Sequence, residues 1–99
     1  MDFHSFASCV NEDFRLNLDN GHPIAFRLLE VKALDAHRPL KSSIQVRQQP
    51  FSLLFSGPSQ PVFGQQVFPL EHDRVGRADI FLVPVGEADS GIEYEAVFT

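Results

Sequence analysis

Tryptophan is absent from this 99-residue chain, and cysteine, tyrosine and methionine occur once each. With Cys9 alone, no intramolecular disulfide and no multi-cysteine metal site can form. That fits a reducing compartment, and the expected location is the cytoplasm. Basic charge is also scarce. Eight Lys and Arg stand against thirteen Asp and Glu, for a formal net charge of −5. Phosphate backbones are held by clustered cations, so this balance argues against a nucleic-acid partner. No apolar run approaches the roughly 20 residues needed to cross a bilayer as a helix. Met1-Asp2-Phe3-His4 lacks the basic start of a secretory signal. The six glycines are scattered at turns and form no phosphate-cradling loop.

Phenylalanine is what the chain has in quantity: ten residues, within a hydrophobic fraction of 43%. A Phe ring has no polar handle, so ten of them read first as core. A barrel of this size uses roughly half a dozen large interior side chains. The surplus is expected to form a covered surface, against a second subunit or a protein partner in preference to a ligand cavity.

The period of the pattern changes early. Phe3, Phe6, Ala7 and Val10 recur at three- and four-residue spacing, which predicts a helix within residues 1–11, capped by Asp2 and stopping near Asn11. A helix of two to three turns needs a partner surface. From Asp13 the period is two, over residues 13–98. Phe14, Leu16 and Leu18 alternate with polar residues up to the turn Asp19-Asn20-Gly21. Ile24, Phe26 and Leu28 share one face before the apolar phase slips to Leu29, Val31 and Ala33, as it does at a β-bulge. A helix over 25–33 is the competing reading.

Asp35–Ser43 reads as a loop. Ile44–Phe55 reads as a strand broken at Pro50, and Val62–Leu70 as another strand, followed by a charged loop at Glu71–Arg74. Ile80-Phe81-Leu82-Val83-Pro84-Val85 is apolar on both sides and is expected to be buried on both faces or covered on one. Ile92, Tyr94, Ala96 and Phe98 alternate with Glu93, Glu95 and Val97. The whole predicts one all-β domain: a small bent barrel, or barrel-like sandwich, of about six strands behind a short N-terminal helix.

Three segments carry a family likeness: Phe51-Ser52-Leu53-Leu54-Phe55-Ser56-Gly57-Pro58, Ile80-Phe81-Leu82-Val83-Pro84-Val85-Gly86 and Tyr94-Glu95-Ala96-Val97-Phe98. Together with Leu70-Glu71-His72 they resemble a family of uncharacterised bacterial proteins one domain long. That resemblance implies an accessory role beside phage-tail-like structures. A short helix before a bent barrel also resembles the Sm-like and SH3-like barrels, although no glycine-containing RNA-binding motif of the Sm family is present.

No constellation carries chemistry. His4, His22, His37 and His72 do not cluster, and no serine sits in a G-x-S-x-G context. Neither catalysis nor a metal or other cofactor is therefore expected. His72, among Glu71, Asp73 and Arg74, is the best candidate for a functional histidine. Its plain alternative is a turn whose side chains satisfy local amides. Gln45, Arg47 and Gln49 would project together from a polar strand, with Arg74 and Arg77 extending a positive region. The expected function is a non-enzymatic interaction or assembly module, with candidate surface residues Phe3, Phe6, Gln45, Arg47, Gln49, His72 and Arg74. An Sm-like nucleic-acid module is the alternative.

Overall fold

The computed structural model describes residues 2–17, 21–34 and 50–98. Helix α1 (Phe3–Ala7) precedes six strands, β1 (Asp13–Leu16), β2 (Ile24–Ala33), β3 (Phe51–Gly57), β4 (Gln66–His72), β5 (Gly76–Ala88) and β6 (Gly91–Phe98). All pairings are antiparallel, and the sheet closes in the order β1-β2-β3-β6-β5-β4. Two three-stranded meanders are thus joined along two seams, β3–β6 and β1–β4. The stretch 25–33 is strand and not helix. Its register shifts between Leu28 and Glu30, at the phase slip read from the sequence, and the bulge bends β2 around the barrel.

Helix α1 is shorter than the span 1–11. Asp2 caps it, its carboxylate accepting from the Ser5 N–H at 2.9 Å. The helix ends early because Asn11 takes φ +72° and the chain is already pairing with β2. The Asn11 N–H donates to the Leu28 carbonyl, and the Leu28 N–H to that of Glu12. Phe6 is the element's anchor. It is 1% exposed and touches Phe14, Phe51 and Phe98 at ring-centroid distances of 5.8–6.1 Å. Burying one such ring contributes about 2 kcal/mol, which offsets the weakness of an isolated turn of helix.

Inside the barrel, Phe14, Leu16, Phe26, Leu28, Phe55, Phe68, Leu70, Ile80, Leu82 and Tyr94 form one buried cluster. Tyr94 keeps its polar end satisfied, its hydroxyl accepting from the Phe63 N–H at 2.9 Å. That bond belongs to the segment before β4, and it accounts for β4 starting at Gln66 and not at Val62. At the other end of β4, Glu71 and His72 pair with Arg77 and Gly76, so the expected loop shrinks to the turn after His72. Of the ten phenylalanines, six are buried and Phe3, Phe63 and Phe98 pack partly buried against the core. Phe81 alone stands outside, 51% exposed. Among the described residues no helix is long and apolar enough to cross a membrane.

Candidate functional site

Among the described residues the β1–β4 seam is short, with Arg15↔Glu71 and Leu16↔Leu70 in register. Where its ladder ends, side chains continue the closure. Arg15 pairs with Asp73 at 2.9 Å, and Asn17 donates to Glu71. His72, at the end of β4, is 7% exposed with its ring 4.8 Å from that of Phe14. Its Nδ1 accepts from the backbone N–H groups of Arg74 (3.1 Å) and Val75 (3.3 Å). That occupies the Nδ1 lone pair, so the ring proton sits on Nε2 and is donated to Glu12 Oε1 at 2.7 Å. Arg74 closes the group: its Nη2 lies 2.5 Å from the same Glu12 oxygen and donates to the Ser8 carbonyl at 3.1 Å. The His72 hydrogen bond, aided by the Arg74 charge, holds the Glu12 carboxyl below its ordinary value, and Glu12 in turn raises Arg74.

Cys9 completes the cluster, with Sγ 3.9 Å from His72 Nδ1 and 3.7 Å from Arg74 Nη2. Thiol, imidazole and carboxylate in that order have the composition of a nucleophile, a base and an orienting acid. They are also metal-ligand types, and their donor atoms lie within 4.8 Å of one another. Three observations give the cluster a different role. Cys9 is 0% exposed and its thiol donates to the Ser5 carbonyl at 3.4 Å. The imidazole nitrogen nearest the sulfur is taken by two amides. The guanidinium of Arg74 fills the place between sulfur and carboxylate that a cation would take. The residues therefore satisfy one another and clamp the segment after α1 to the β4–β5 turn. An open groove of about 630 Å³ runs past Glu12, Arg15, His72 and Asp73, but its charges are already paired with each other.

The uncovered surface lies elsewhere on the barrel. Val67 of β4 is opposite Phe81 of β5, and Val83 of β5 is opposite Glu95 of β6. Two residues before Val83 and two after Glu95, Phe81 and Val97 continue the same outer face. Val67 and Val97 are each 57% exposed, so large apolar side chains stand on the outer face of three successive strands, Val67 and Phe81 as direct neighbours and Val97 just past the last β5–β6 pair. Val85 lies further along β5, equally in the open. The run 80–85 is therefore covered on its inner face by the barrel core, and among the described residues no element packs on its outer face.

These positions redistribute the residues expected to form a surface. Phe6 is core and cannot present a contact, because α1 turns it inward onto the barrel end. Phe3 is half-buried, its ring 5.9 Å from Phe51. Gln45, Arg47 and Gln49 lie outside the described residues. His72 and Arg74 do come together, in the clamp, and Arg77 pairs with Asp79, so these two arginines form no free positive region. Sequence reasoning missed Cys9 and Glu12, whose partners are some sixty residues distant in the chain. It also missed Val67 and Val97, whose contribution depends on strand order.

Fold and site together define a small closed antiparallel barrel with a buried polar clamp and a bare apolar face. The chain belongs to the family described as a domain of unknown function, DUF6916, which it matches over residues 1–98. No curated protein and no solved structure matches it.

Proposed function

We propose that this chain is a non-enzymatic protein-interaction or assembly module, of the kind an accessory part of a phage-tail-like structure requires. The observation behind this reading is the exposed row Val67, Phe81 and Val97. A domain of this size had room to put nine of its ten phenylalanines in or against the core, and one aromatic with two aliphatic neighbours was left in water. Contiguous exposed apolar side chains on an otherwise well-packed surface mark contact sites. The clamp supports the non-enzymatic half of the reading, since its thiol is sealed and its imidazole is engaged. Among the described residues the nucleic-acid alternative has no comparable observation behind it: Arg15, Arg27, Arg74 and Arg77 each sit on a carboxylate.

Site-specific photo-crosslinking in the native host tests the proposal. A benzophenone side chain at position 81 or 97 is expected to give a discrete protein adduct. The same group at Ala25, on β2 diametrically across the ring of strands, is expected to give none. Equal labelling from all three positions would refute a dedicated face.

A further inference from the structure

We infer that the Val67–Phe81–Val97 face takes a basic partner, a polypeptide surface whose apolar side chains are flanked by Lys or Arg, and not a second copy of this chain. The inference rests on the interaction reading above and concerns what that face selects.

The argument is one of charge. Glu95 stands beside Val83 on β5 and Leu54 on β3, and Glu93 is opposite Gly86. With Glu30 across from Leu54, carboxylates border the row on the side toward the β5–β6 hairpin. Among the described residues, none of these three glutamates has an ion-pair partner. The four described arginines are engaged elsewhere, two of them on the β1–β2 side and one in the clamp, while Arg77 is held by Asp79. Lys32, beyond Ser52 along the row, is the one described cation left over.

An apolar patch with an acidic border is electrostatically directional. A partner carrying Lys or Arg around its own apolar side chains gains at each border carboxylate and is steered toward the face. A second copy would bring the same border and the same net charge of −5, so like charges would meet as the rows approached. A polyanion is repelled for the same reason.

The test is selection from a displayed library of random 16-residue peptides against the intact protein. The expected pool is enriched in Lys and Arg interspersed with aliphatic or aromatic residues. Its affinity should fall at least tenfold with Phe81→Ser or Val97→Ser, and severalfold with the pair Glu93→Gln and Glu95→Gln or on raising salt. Thermal melts confirm that each variant is folded. Binders that need Phe81 but show no basic enrichment and no salt dependence would overturn the basic partner while leaving the interaction face standing. A dimer in light scattering that Phe81→Ser dissolves would assign the face to a second copy and overturn the inference by another route. Binders indifferent to Phe81→Ser and Val97→Ser, or no binders at all, would count against both readings.

Discussion

Replacing His72 separates a clamp from a catalytic device by the sign of the stability change. His72→Ala removes the acceptor for two part-buried backbone amides, those of Arg74 and Val75. A donor left without a partner costs about 1–3 kcal/mol, and the lower end applies where water can reach it. The variant also strips a buried ring from Phe14, which adds about 1 kcal/mol of lost burial. The expected loss is therefore about 3 kcal/mol, or roughly 12–24 °C in melting temperature for a domain of this length. His72→Asn is the informative companion. An Asn carbonyl can accept from the amide two residues on, as in an Asx-turn, so it should recover about 1 kcal/mol of the loss. Urea titrations followed by far-UV circular dichroism give both values. A strained catalytic site behaves in the opposite sense, since replacing its residues commonly stabilises the fold. A loss below about 1 kcal/mol for His72→Ala, within the scatter of ordinary substitutions, or Asn faring no better than Ala, would refute the clamp.

Two further outcomes follow from the same geometry. Glu12 has its folded-state value lowered from the ordinary 4.5, so the stability it contributes is fully present above that pH and is lost as pH falls through the lowered value. The stability gap between wild type and Glu12→Gln should accordingly be flat at neutral pH and close in acid; a gap unchanged down to the acid limit of folding would contradict it. At Gly91, φ is +140° and an added Cβ would lie 2.0 Å from the Gly57 carbonyl oxygen. Gly76, at φ +84°, has nothing within 4 Å. Gly76→Ala should therefore cost about 1 kcal/mol of backbone strain. Gly91→Ala should cost about 4 kcal/mol or prevent folding, because a backbone atom cannot step aside. Comparable melting temperatures for the two would remove the argument.

Much of the barrel is legible in the chain because strand faces write themselves as period two. Phe26 and Leu28 followed by the slipped phase at Val31 mark the bulge, and the alternation from Ile92 to Phe98 places Glu93 and Glu95 outside. Asp2 as the helix cap is local and equally readable. What the pattern cannot carry is closure. Cys9, Glu12, His72 and Arg74 are brought together by the meeting of β1 with β4, and nothing in the neighbourhood of Cys9 announces a partner sixty residues on. The exposed face was hidden for a related reason. An apolar run such as 80–85 states that both sides of a strand are greasy, and only the strand order shows that no described element lies against one of them.

The shortness of the β1–β4 seam has a kinetic consequence. Six strands in a ring must part somewhere before the barrel can unfold in steps, and the joint with two ladder pairs among the described residues is the natural place, against seven at β3–β6. The side chains of Glu12, Arg15, His72 and Arg74 then act as the bolt on that joint. Amide protons of β1 and the end of β4 should exchange with solvent by local opening well before those of β3 and β6, whose exchange waits for the whole domain to come apart. Drawing the bolt with His72→Ala should speed exchange on β1 more than on β6, so that the ring opens as a sheet before it is lost as a fold.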